Sequence, residues 1–360
     1  MTQSPVPRLV WADGVRGFCV IAVVLSHFIG WGLEPVRSSA ADVFWETASG
    51  QLTPIRMPAL FVLSGFLMSS RVKAGFSDRR AVTSAATSYY LYVVWLTLFG
   101  LISFVGLATG VSSWSDFLLQ LLVPKTILWF VLALALWTVV LAALHRVPPA
   151  VLLTLLGMLS VASYWLPGQT GVDHYARILE YGFFFGLGVF GKPVLVFLAE
   201  GRHWFAAAGA LAVYLGARAV MSAGSGDAVV EGTLPIVRDT AAVVVVIVVI
   251  ATLCRASWVR APLVWVGRRT LPIYVMHPLL IWALARTPGW ESAIGIPGMA
   301  VVGPILATVA ISLVAVGLYL VMIRTPLRAL FELPSFVKRW LDPGSATRDL
   351  AFARETRVPR

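Results

Sequence analysis

The sequence predicts an all-α, polytopic membrane protein of about ten transmembrane helices, with both termini on the cytoplasmic side. Three observations predict it. Hydrophobic residues fill 59% of the chain and charged ones 12%, about half the charged share of a soluble domain. So little charge cannot cover so much apolar surface in water. The apolar residues are gathered into runs close to the ~20 residues that cross a hydrocarbon core. The basic residues fall between those runs and toward the C-terminus, so the net charge of +11 reads as an orientation signal and predicts no nucleic-acid partner. Cys19 and Cys254, the two cysteines, lie inside apolar runs, which excludes a disulfide framework and a cysteine-rich zinc site.

The expected spans are 10–31, 56–71, 88–108, 127–144, 149–165, 177–198, 204–221, 239–254, 263–285 and 300–323. The first contains Asp13 and Arg16 and lacks a small-residue cleavage site, so it is expected to stay as a helix. The second requires Pro58 and Gly65 to be tolerated within the bilayer. Residues 114–124 are too few to span and predict an interfacial helix before the fourth span. The fifth and eighth segments are short. Residues 1–325 form the expected membrane domain, and 326–360 a basic cytoplasmic tail. Cytoplasmic termini place twenty of the 28 Lys and Arg on the inner side and seven at outer ends, with Arg16 inside span one. That asymmetry is the positive-inside bias. Trp31, Trp129, Trp165, Trp204, Trp258 and Trp282 fall near span ends, where interfacial anchors sit. No internal repeat is evident, which gives an inverted-repeat transporter no support.

Ionisable residues inside spans mark functional sites by default. Arg16 and His27 are eleven residues apart, which returns to within about 20° on a helix at a rise of roughly 16 Å. One face therefore carries a cation near one end and an imidazole in the other half of the membrane. Asp13, three residues before Arg16, can pair with it. His277 lies within span nine, about 12 Å from Arg269, with Tyr274 one turn away; Pro278 is expected to disturb the helix and free a carbonyl. Glu180, Tyr181, Arg218, Arg238 and Asp239 share the outer level. No helical two-histidine motif, phosphate-binding glycine loop or carboxylate pair appears, so no metal or bound cofactor is expected.

The run Asp13-Gly14-Val15-Arg16-Gly17, followed by His27, resembles the opening motif of the integral-membrane acyltransferase-3 family. Arg56-Met57-Pro58-Ala59-Leu60-Phe61-Val62-Leu63-Ser64-Gly65-Phe66 is similar to that family's second-span motif. Trp129-Phe130, the run from Phe183 to Gly188, and Leu271 to Pro278 are weaker echoes, and the likeness covers residues 9–325. Ala12 departs from the apolar leucine-like residue that many relatives carry.

The resemblance implies a stand-alone enzyme that moves an acyl group, acetyl by default, from cytoplasmic acyl-CoA as co-substrate to a hydroxyl. The acceptor class is a glycan, glycolipid or secondary metabolite. The Ala-, Val- and Arg-rich usage points to the bacterial cytoplasmic membrane. Such a transfer needs a base for the alcohol proton and stabilisation of a tetrahedral oxyanion. His27 is the residue of span one suited to be that base. Direct attack by the acceptor and a transient acyl-histidine are both open. Arg16 suits the CoA phosphates, with Arg268 and Arg269 as further donor contacts. Arg56, Ser64, Tyr274 and His277 are candidates for the acceptor or the oxyanion, Ser64 being better suited to helix packing. A proton-coupled transporter or exporter of a polar or acylated substrate is the alternative that buried Arg and His permit.

Overall fold

The computed structural model describes residues 9–37, 39–104, 110–166, 173–201, 203–224, 226–296 and 298–344, and among them there are helices and no strands. The expectations for residues 105–108, Arg8, Arg202, Arg348, Arg354, Arg357 and Arg360 lie outside these residues. The helices are α1 (Val10–Gly32), α2 (Ala40–Lys73), α3 (Arg79–Phe104), α4 (Trp114–Gln120), α5 (Trp129–Ala143), α6 (Pro149–Ser163), α7 (Asp173–Phe190) and α8 (Lys192–Glu200). They continue with α9 (Trp204–Ala223), α10 (Ala228–Leu253), α11 (Ser257–Gly267), α12 (Thr270–Ala285), α13 (Trp290–Ile294), α14 (Met299–Met322) and α15 (Ser335–Leu341).

The chain is an all-helical, polytopic membrane protein. Among the described residues α1, α2, α3, α9, α10 and α14 are long and apolar enough to cross a bilayer; α7 and α8, bent by 75°, make a seventh if they form one broken span. The apolar helices α5, α6 and α12 are shorter. Each expected segment falls on helix, and 114–124 contains α4. Several limits differ: α3 begins at Arg79, ahead of the expected 88, and the local reason is plain at four others. α2 begins at Ala40 because Ser39 caps it, its Oγ accepting the Asp42 N–H at 3.2 Å. The added turns carry Asp42, Glu46 and Gln51, polar enough to hide from a hydropathy reading. Asp227 likewise starts α10 early, accepting from the N–H groups of Val229 and Val230 at 2.8 and 3.2 Å.

The sixth and ninth expected segments are broken by proline. Pro193 has no N–H for the Val189 carbonyl, and the chain turns at Gly191. The freed carbonyl is taken by the Ser69 hydroxyl from α2 at 2.6 Å. Pro272 stands in the same relation to Arg268, and α11 stops at Gly267. Pro278 behaves differently: the disturbance expected there is not a break, since α12 runs through it to Ala285.

α1 is the central helix, packed against α2, α10, α11, α12 and α14. Two glycine crossings set the closest approaches. A Cβ on Gly17 would overlap the Leu263 carbonyl oxygen, and one on Gly267 would overlap that of Asp13. α2 and α7 cross in the same way, Gly65 against the Phe185 carbonyl and Gly188 against that of Val62. Small residues let membrane helices approach until their backbones touch.

One of the expected tryptophan anchors is buried and two are half-buried. Trp129 is buried, stacked near Phe61 and Tyr181 at centroid distances of 5.8 and 5.7 Å. Trp31 and Trp282 pack on each other at 5.5 Å. Trp165, Trp204 and Trp258 are exposed, as anchors are. The described start of the C-terminal segment docks on α3: Tyr90 donates its hydroxyl to the Ala329 carbonyl at 2.8 Å, and the Trp95 indole N–H donates to that of Leu330 at 2.7 Å.

Valine at Gly17 or Gly188 is expected to destabilise the protein by about 1–3 kcal/mol or more through overpacking. Thermal unfolding in detergent should show it, with Gly209→Val as the control, since nothing lies near a Cβ at Gly209. Ser69→Ala should cost about 1–3 kcal/mol by stranding the Val189 carbonyl.

Candidate active site

Two clusters of polar side chains meet on α1. Near its start, the Asp13 carboxylate is shared by two guanidiniums, with Arg16 Nη1 at 3.7 Å from Oδ1 and Arg268 Nε at 3.3 Å from Oδ2. The Gly17–Gly267 crossing brings Arg268, the next residue after α11, against α1. One carboxylate for two guanidiniums leaves the cluster positive. The Arg16 and Arg268 side chains are 29% and 45% exposed, so both forks keep donors open to a ligand. Arg269 does not join them: its Nη1 donates to the Trp265 carbonyl at 3.0 Å, and its guanidinium lies 4.5 Å from the Trp265 ring centroid.

Eleven residues along the same unbroken helix, His27 meets His277 of α12. His277 is fully buried and His27 partly so. The Nε2 of His277 is 3.2 Å from the Nδ1 of His27, and the ring centroids are 5.0 Å apart. The carbonyls on either side fix the protons. His27 Nδ1 is 3.0 Å from the Val23 oxygen and His277 Nδ1 is 3.1 Å from the Ile273 oxygen. A carbonyl oxygen only accepts, so each Nδ1 carries the hydrogen. His277 Nε2 is then a lone pair that also receives the His27 Nδ1–H, and His27 Nε2 is left as a lone pair unshared among the described residues. The Tyr274 carbonyl, which Pro278 deprives of its helical donor, faces the same His277 imidazole.

Aromatic rings surround the pair. Trp31 lies 5.1 Å from His27, and Tyr274 lies 5.9 Å from His277. Phe130 packs edge-on to Tyr274, and Phe61 links Phe130 to Tyr181. Arg56 of α2 and Arg177 of α7 are near enough for their charges to act on His27. Arg56 also reaches the Ser49 hydroxyl at 3.4 Å. The remaining candidates have their hydroxyls committed elsewhere. Ser64 Oγ donates to the Leu60 carbonyl of its own helix at 2.7 Å, and the Tyr274 hydroxyl donates to the Ile127 carbonyl.

Of the outer group, Glu180, Tyr181 and Asp239 act on one another electrostatically, and Arg238 Nε donates to the Asp239 carboxylate at 2.7 Å. Arg218 is exposed and lies over Tyr214 instead. The sequence reading did not single out Arg177, although its spacing three residues before Glu180 puts both on one face of α7. Among the described residues no three His, Cys, Asp or Glu side chains gather as a metal site.

Residues 9–324 match the acyltransferase-3 family's acyltransferase domain. The chain belongs to that family and is a membrane acyltransferase. No curated protein and no solved structure matches it.

The tautomer assignment is open to measurement. Solid-state 15N NMR of histidine-labelled protein in lipid should show both imidazoles protonated at Nδ1, with the signals assigned by loss in His27→Gln and His277→Gln. An Nε2–H tautomer at His27 would contradict the assignment.

Proposed function

We propose that the protein transfers an acyl group, acetyl by default, from acyl-CoA to a hydroxyl of a glycan, glycolipid or secondary metabolite, with no bound cofactor. The observation that carries this reading is a histidine pair with an open Nε2 on the same helix as a positive Asp13–Arg16–Arg268 cluster. Their separation, roughly 16 Å along α1, is the scale of an extended phosphopantetheine arm.

Arg16 and Arg268 take the CoA phosphates, since a guanidinium fork suits phosphate oxygens. Asp13 holds the two forks in register without neutralising both. This end of α1 faces the cytoplasm, as do both termini, in the bacterial cytoplasmic membrane, with 326–360 as the tail. His27 Nε2 accepts the acceptor's hydroxyl proton as the hydroxyl oxygen attacks the thioester carbonyl. The tetrahedral oxyanion is stabilised by the charges of Arg56 and Arg177. Its collapse breaks the carbon–sulfur bond, the imidazolium returns the proton to the leaving thiolate, and ester and free CoA result. His277 is a positioning residue: its Nε2 holds the His27 Nδ1–H, so the open nitrogen faces the reaction. Direct attack is favoured over an acyl-histidine because one His27 lone pair then serves throughout as base and acid. Ser64 and Tyr274 are packing residues here, and Arg269 holds the α11–α12 corner.

Acyl transfer from labelled acetyl-CoA by protein in lipid nanodiscs tests the reading. His27→Gln should lower kcat by about 10²–10⁴-fold, the range of general base catalysis. Arg16→Ala should raise the KM for acetyl-CoA by about 10–100-fold, equivalent to ~1.5–3 kcal/mol of charge-assisted hydrogen bonding, while leaving kcat within a few-fold. Full transfer by a folded His27→Gln protein would refute the assignment.

A further inference from the structure

α3 and α5 pack side by side, and the small side chains between them, Ala85 and Ala86 of α3 and Ala135 of α5, leave a groove of about 440 Å³. Ala85 and Ala135 are its buried floor, while Phe76, Leu136 and Val139 are exposed along its rim. Apart from two tyrosines, every lining side chain is hydrocarbon. Both tyrosine hydroxyls are taken: Tyr89 donates to the Leu121 carbonyl at 3.4 Å and Tyr175 to that of Leu122 at 2.6 Å. Those two bonds also hold residues 121 and 122 against one end of the groove. A groove without a free polar side chain, on helices that lie in lipid, suits a hydrocarbon chain and offers a polar ligand nothing.

The other end meets a charged corner. α2 and α3 are joined by a short helical turn at Gly75–Ser77 that packs on α5. Phe76 lines the groove, and the next four residues, Ser77 to Arg80, line a polar cavity of about 450 Å³ together with Asp342. Arg80 is paired with Asp78 at 2.6 Å, and Arg71 donates to the Ser84 hydroxyl at 2.8 Å. Arg79 is exposed, and its guanidinium makes no hydrogen bond or ion pair among the described residues. Steps of three, four and three residues put Arg79, Val82, Ala86 and Tyr89 on one face of α3. Arg79 to Tyr89 is about 15 Å along the helix, half of the ~30 Å hydrocarbon core.

We infer that the groove holds one acyl chain of an anionic phospholipid, its phosphate on Arg79 and its chain end against Tyr89 and Leu121. Length selects the lipid of a single leaflet, because the groove face from Arg79 to Tyr89 is one leaflet deep. Charge selects the headgroup. Residues 71–80 carry four cations and one carboxylate, and basic pockets between membrane helices hold anionic headgroups. A guanidinium on a flexible stem reaches the headgroup level while its methylenes stay beside the chain. The lipid is a fixture of the α3–α5 wall and takes no part in acyl transfer.

Photolabelling tests this directly. The full chain is placed in phosphatidylcholine nanodiscs with a trace of phosphatidylglycerol whose acyl chain ends in a diazirine. After photolysis, labelled peptides are mapped by mass spectrometry. Labelling of residues 82–89, 121–122 and 132–139 should exceed that of the equally lipid-facing α14 five-fold or more. Excess unlabelled phosphatidylglycerol should remove the difference, and the same excess of zwitterionic phosphatidylethanolamine should not. Arg79→Gln should lower groove labelling five-fold or more, whereas Arg260→Gln, at an exposed cation of α11, should leave it unchanged. Ala86→Trp should abolish it by filling the groove; if that variant fails to fold, Arg79→Gln, at an exposed position, decides. Labelling no stronger than that of α14, equal displacement by the zwitterionic lipid, or unchanged groove labelling in Arg79→Gln overturns the inference.

Discussion

No water reaches the interior of a bilayer to take up an unused hydrogen bond, and that constraint shapes this protein more than any other. Every carbonyl that a proline leaves idle must find a donor in the protein. Val189, idle because of Pro193, is answered by Ser69 from another helix. Tyr274, idle because of Pro278, faces the His277 ring. The imidazoles obey the same rule. Each gives its Nδ1–H to a carbonyl one turn back on its own helix, and that shared habit leaves a single lone pair, on His27, without a partner among the described residues. The proposed base is what remains after the surrounding polar groups are satisfied.

The glycine crossings turn this local chemistry into a site. Gly17 and Gly267 allow α1 and α11 to touch backbone to backbone, which is why Arg268 can reach the carboxylate of a residue 255 positions earlier in the chain. Gly65 and Gly188 lock α2 against α7, and these two helices supply the Arg56 and Arg177 charges that act on His27. Substitution at a crossing therefore acts on stability and on site geometry together, because a helix displaced by the width of a methyl group carries its arginine with it.

Much of this was legible in the sequence. Apolar runs located the helices, and the spacing of Arg16 and His27 put both on α1 because a helix has a fixed pitch. Helix limits were less legible where polar turns extend a spanning helix, as at Asp42 and Glu46, since hydropathy sees only the part in lipid. The corner at Arg268 was missed although Pro272 announces it: one proline breaks a helix and the next, Pro278, does not. The meeting of His27 with His277 is a contact between residues 250 apart, and no local pattern encodes which face of α12 turns toward α1. Trp129 looked like a surface anchor by its place in a run, but its ring belongs to a buried stack whose other members come from α2 and α7.

The docking of residues 329–330 onto α3 sets an order for assembly. The indole and phenol on α3 that receive this segment are made 235 and 239 residues before the carbonyls they bind. At ~5–20 residues per second of synthesis, α3 waits on the order of ten to fifty seconds in the membrane with those two donors unmatched. A chaperone or insertase that shelters Tyr90 and Trp95 during that interval would raise the yield of folded protein without touching the finished structure.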